Sequence, residues 1–86
     1  MALGEYEKGC RILAGLIEEQ MEYIDWYCSF SKNRFKANAQ ESYNAIEMAK
    51  LLIEELNSGD EACKAMADEY TAELNEKFMV WRKKMS

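Results

Sequence analysis

The chain has 86 residues, a hydrophobic fraction of 49%, a charged fraction of 31% and a formal net charge of −5, with neither proline nor histidine. A chain this short makes one domain and buries only about 60–65% of its unfolded surface. The composition excludes disorder, and the acidic balance disfavours the broad basic surface that general nucleic-acid binding needs.

The charge is unevenly placed. Residues 1–28 carry six acids and two bases, and residues 29–38 carry Lys32, Arg34 and Lys36 with no acid. Residues 39–76 carry ten acids and two bases, and residues 77–86 carry four bases and no acid. Two basic tips therefore punctuate two acidic stretches. Such a surface permits binding to a basic partner, with salt-sensitive association.

From Leu3 the apolar positions recur every three or four residues: Leu3, Tyr6, Cys10, Leu13, Ile17, Ile24 and Tyr27, with Gln20 the one polar member. This is the seam of a helix lying lengthwise on another, and it predicts helix 1 over about 3–30. Leu16, Tyr23 and Phe30 widen the seam on one flank. Ser31-Lys32-Asn33-Arg34 is the expected turn, because an unbroken helix to Leu56 would reach roughly 80 Å and imply a dimer. A second seam runs Phe35, Ala39, Ser42, Ile46, Ala49, Ile53 and Leu56, broadened by Ala45, Met48 and Leu52. It predicts helix 2 over about 35–56. Asn57-Ser58-Gly59-Asp60 marks the next break. Gly59 suits a left-handed cap, Ser58 and Glu61 have capping-box spacing, and Asp60 is the alternative N-cap. Helix 3 is predicted over about 60–84, with Cys63, Met66, Tyr70, Leu74, Phe78, Trp81 and Met85 on one stripe. Its acidic first turn and its Arg82-Lys83-Lys84 end suit the helix dipole.

These elements make the chain all-α: one domain over residues 1–86, a small three-helix bundle or a helical hairpin with a third helix, with antiparallel neighbours. The longest apolar run, Ile12 to Ile17, is too short to cross a membrane. Cys10, Cys28 and Cys63 show no CxxC pair. Cys10 and Cys28 stand roughly 27 Å apart on one helix, too far to bond. The expectation is three free thiols, no secretory leader and a cytoplasmic protein.

With no histidine, glycine-rich phosphate loop or serine elbow, no catalytic, metal or cofactor site is expected, and the chain is read as no enzyme. Five aromatic residues crowd into thirteen positions: Tyr23, Trp26, Tyr27, Phe30 and Phe35. Trp26 points away from the Tyr23–Tyr27–Phe30 face. It either docks a partner or covers the core against helix 3. Phe78 and Trp81, beside Met79 and Val80, leave the tail of helix 3 apolar on nearly every side. The leading expectation is a non-enzymatic protein-interaction module. It would act through Trp26, Phe30, Arg34 and Phe35, or through Phe78 and Trp81, as a homodimer or on a protein target.

The runner-up comes from the acidic rows Glu18, Glu22, Asp25 and Glu69, Glu73, Glu76. Like charges at this spacing cost helix stability. They suit a solvated face, or a small acidic inhibitor of the phage or mobile-element kind that fills a basic nucleic-acid groove on a target enzyme. The weakest alternative is nucleic-acid contact through the 32–36 tip.

Overall fold

The computed structural model describes residues 2–86, with side chains described from Gly9 onward. The expected seam positions Leu3 and Tyr6 lie outside the described side chains. Among the described residues there are four helices and no strand: α1 (Ala2–Cys28), α2 (Lys32–Ala37), α3 (Ala39–Asn57) and α4 (Glu61–Met85). The three long helices form a small all-α bundle about 51 Å long and 17 × 15 Å across.

Helix α1 stops two residues before the expected end. The Ser29 N–H donates to both the Asp25 and Trp26 carbonyls at 3.1 Å, and the Ser29 hydroxyl donates to the Trp26 carbonyl at 2.6 Å. These bonds occupy the terminal carbonyls and tighten the last turn. Ser31 is extended, at φ −58° and ψ 158°, and the chain re-enters helix at Lys32. The segment expected as a turn is thus a short helix, and the turn itself lies at 29–31. A second kink falls at Asn38, whose side-chain amide donates to the Arg34 carbonyl at 2.8 Å and whose backbone leaves helical values at ψ 19°. The two kinks together send Phe35 wholly into the bundle.

The second break also differs from expectation. No glycine has a positive φ, so Gly59 is not a left-handed cap. Its role is close approach. A Cβ there would lie 2.9 Å from Cys63 Cβ and 3.0 Å from Cys63 Sγ. Of the two candidate N-caps the structure uses Asp60, whose carboxylate accepts from the Cys63 N–H at 2.9 Å. The Ser58 hydroxyl turns back to the Glu55 carbonyl.

Helices α1 and α3 run antiparallel, since the start of α1 (Gly9, Cys10, Leu13) lies against the end of α3 (Glu55, Leu56). Helices α1 and α4 run parallel, because Cys10 meets Cys63, Glu18 meets Tyr70 and Asp25 meets Lys77. The topology is up-down-up. The core joins Ile17, Met21 and Ile24 of α1 to Ala45, Ile46, Ala49, Ile53 and Leu56 of α3 and to Cys63, Ala67 and Leu74 of α4.

On α1 the seam keeps its period but shifts. Ala14 and Met21 are buried, whereas Leu13, Gln20 and Tyr27 are half-buried. Helix α1 is gripped from two sides, so its buried stripe bisects the directions of α3 and α4. Leu16 and Tyr23, expected to widen the seam, point to solvent.

Cys10 and Cys63 are bonded, with Cα atoms 5.9 Å apart, which corrects the expectation of three free thiols. Cys28 alone is free. Burial pushes its thiol pKa up, helped by the charge of Asp25 and opposed by Lys84 and Lys77. A raised pKa leaves little thiolate and an unreactive sulfur.

Candidate interaction surfaces

The six aromatic and basic residues singled out from the sequence all gather at one end of the bundle. Trp26 lies edge-on to Phe30 with ring centroids 4.8 Å apart, and the Arg34 guanidinium sits 4.1 Å above the Phe30 ring. Phe35 meets Trp81 at 6.2 Å, and Trp81 stacks on Phe78 at 5.8 Å with 12° between planes. The Trp81 ring N–H donates to the Ser42 hydroxyl at 2.7 Å, and that hydroxyl donates onward to the Ala39 carbonyl. Ser42 is fully buried, so this chain satisfies its one polar atom away from water.

Most of the aromatic surplus is therefore absorbed by the fold. Phe30 and Phe35 are buried and Phe78 and Trp81 half-buried. The kinks turn the Phe30 and Phe35 rings inward, so in the single chain both are packed within the bundle. Trp26 stays out, at 54% exposure, and its ring contacts among the described residues are with Tyr27 and Phe30 of the same segment.

A further spare apolar surface lies on the flank shared by α1 and α3. Ile12 (65% exposed), Leu16 and Tyr23 form one row on α1, and Met48 and Leu51 (59% exposed) form a row on α3. Tyr23, Tyr27, Gln20, Ala45, Asn44 and Met48 line the shallow groove between them. Sequence reasoning placed Leu16, Tyr23 and Met48 in the core. Their one distinguishing signal was that the core stripe was already full without them. Gly15 sits in the same row of α1. A Cβ there would meet nothing within 4 Å, so no contact inside the bundle requires a glycine.

Among the described residues from Ile12 onward, the charges placed on this flank are acidic. Glu19 accepts from the Tyr23 hydroxyl at 3.0 Å, Glu41 borders the groove, and Glu55 stands at its far end. Between residues 12 and 28 there is no lysine or arginine, and the one cation of α3, Lys50, lines the opposite groove beside α4.

The face between α1 and α4 joins the two acidic rows. Tyr70 donates to Glu18 at 3.0 Å, and its pKa is pushed up to about 12 by burial first, then by that hydrogen bond and the charges of Glu18, Glu73 and Glu69. Glu69, Glu73 and Glu76 are exposed, and Glu18, Glu22 and Asp25 are exposed across from them. Lys77 bridges the rows through Asp25 at 2.7 Å. A third groove, about 460 Å³ between α3 and α4, has Ile46, Ile53, Leu74 and Phe78 in its lining and Glu47, Lys50, Glu54 and Asp68 among its polar residues.

One cluster of metal-donor side chains occurs among the described residues, Cys10, Asp60 and Cys63. Its sulfurs are bonded to each other and its carboxylate caps α4, so the donors are committed to structure. No helix among the described residues is long and apolar enough to cross a membrane. No protein-family model matches the chain, and no curated protein and no solved structure matches it.

Proposed function

We propose that the protein is a non-enzymatic protein-interaction module whose docking surface is the α1–α3 flank, with Trp26 at its edge. One observation carries this reading. Five large apolar side chains, Ile12, Leu16, Tyr23, Met48 and Leu51, are exposed on one side of a bundle whose core is complete without them. An apolar surface rimmed by charge is the usual mark of a protein contact. The residues expected from the sequence keep a part in this reading through Trp26 and Arg34, which remain exposed. The Cys10–Cys63 bond bears on the cytoplasmic placement, since such a bond persists in an oxidising compartment and opens in a glutathione-rich one.

The test compares the wild type with a Leu16→Ser, Met48→Ser variant in extracts of the source cell. Both side chains are exposed, so helicity should be unchanged. The wild type should elute in a species larger than its 10.0 kDa chain, and the variant should elute smaller. Equal elution of two equally folded proteins counts against the reading.

A second reading is favoured by the joined acidic rows of α1 and α4: an acidic inhibitor seated in a basic nucleic-acid groove of a target enzyme. Two helices bring at least six carboxylates to one face, where Lys77 pairs with Asp25. Reversing Glu69, Glu73 and Glu76 to lysine should abolish inhibition. Inhibition that survives both the reversal and high salt rejects this reading.

A further inference from the structure

The fold unites the two basic tips that lie apart in the sequence. Phe30, Ser31, Lys32, Val80, Lys83 and Lys84 line one surface hollow, and Lys84 donates to the Cys28 carbonyl at 2.7 Å. One end of the rod thus carries Lys32, Arg34, Lys36, Arg82, Lys83 and Lys84 from segments 29–38 and 77–86, which contain no acid, beside the first turn of α3 with its single acid Glu41. The same end exposes Met79 and Val80, apolar side chains that nothing in the bundle covers. The α1–α3 flank is the complement of this end: apolar residues among Glu19, Glu41 and Glu55, with no lysine or arginine between residues 12 and 28 of α1 and with Lys50 of α3 on the opposite groove. Three of the end's cations are already held against its own groups, since Arg34 lies over Phe30, Arg82 over Phe78, and Lys84 on Cys28. Lys32 and Lys83 have no such engagement and flank the exposed Val80.

We infer that the occupant of the α1–α3 flank is the basic end of a second copy of this chain, an inference that rests on the flank being a docking surface. A two-fold pairing of flank on flank would bring the acidic rims of two copies together, Glu19, Glu41 and Glu55 facing the same set across the axis, and like charges brought together cost affinity. End on flank sets Lys32 and Lys83 among Glu19, Glu41 and Glu55 and places Met79 and Val80 on Leu16 and Met48. Such a contact is heterologous. Each copy offers both an end and a flank, so association does not close at a dimer. The end is only 17 × 15 Å in backbone cross-section, so the interface falls at the small end of specific contacts, below about 1,200 Å² in total. Weak, salt-sensitive growth in mass is the consequence.

The experiment is sedimentation of the purified protein over a concentration series, with two variants. Lys32→Glu with Lys83→Glu spoils the end and leaves the flank. Leu16→Ser with Met48→Ser spoils the flank and leaves the end. The wild type should rise in mass with concentration at low salt and lose at least about tenfold in apparent association constant at roughly 0.5 M salt. Each variant alone should stay monomeric, and an equimolar mixture should give a 1:1 pair that grows no further. A wild type that stays monomeric up to about 1 mM at low salt overturns the inference, as does salt-insensitive association measured on the wild type alone. An end variant that associates as well as the wild type points to flank-on-flank pairing and overturns it too. A monomeric wild type whose flank variant still leaves its complex in cell extract removes the second copy as partner but keeps the docking surface. Failure of both measurements removes both.

Discussion

Reduction of the Cys10–Cys63 bond should cost this protein a large share of its stability. The bond closes a loop spanning 53 positions. Chain-entropy arithmetic for a loop of that length gives about 14 cal/mol/K, or about 4 kcal/mol at 25 °C, lost from the unfolded ensemble by the cross-link. A domain of this size has a total stability of roughly 4–13 kcal/mol. The bond therefore supplies between a third and nearly all of the margin. It joins the N-terminal half of α1 to the first turn of α4, the two helices that run parallel and so share no tight turn. The assay is urea unfolding followed by far-UV circular dichroism, with and without reductant. Thiols are counted in the unfolded state, where the oxidised chain should show one and the reduced chain three. Curves that differ by less than about 0.5 kcal/mol, or three thiols in the oxidised chain, would refute the reasoning.

The two glycines separate by sign. Gly59→Ala places a Cβ against the bonded Cys63 and should destabilise by about 1–3 kcal/mol, while Gly15→Ala enters open space within a helix and should stabilise the single chain by roughly 0.5–1 kcal/mol, both read from urea midpoints. Trp81→Phe removes the ring N–H that Ser42 accepts and should lower stability by about 1–2 kcal/mol. Ser42→Ala in the same background should then cost little further, as a double-mutant cycle would show. Tyr70 is held neutral in the fold, with a pKa near 12 against an unfolded value of 10.0. Its stabilising contribution is complete below pH 10 and is lost as pH rises toward 12. A Tyr70→Phe variant should lack that part of the alkaline loss in unfolding scans.

The three long helices were legible because apolar spacing reports directly on which side of a helix is buried; the six-residue α2 is too short to show a period. The seam of α3, from Ser42 through Leu56, was readable in full, since α3 packs against both other long helices over most of its length. On α1 the same spacing admitted two stripes that share Cys10, Ile17 and Ile24. Only the direction of α4 selects Ala14 and Met21 over Leu13 and Gln20. The position of the first turn was hidden, because Ser29 and Asn38 act by binding carbonyls already in the chain, and neither carries the signature of proline or glycine. The cysteine pairing was hidden for a related reason. Residues 53 positions apart meet only after α4 has been laid parallel to α1, and no local motif announces that. Aromatic density was legible, but its destination was not. Phe35 stood both at the head of the second seam and among the docking residues, and the kinks on either side of it aim the ring inward.

A photocrosslinking side chain placed in turn on each face, at Ile12 on the flank, Glu73 between α1 and α4, and Lys50 in the groove between α3 and α4, tests most directly where this protein docks. In the source cell the account predicts one discrete adduct from position 12 and none of comparable yield from position 50. A discrete adduct from position 73 or 50, with position 12 silent, would contradict it.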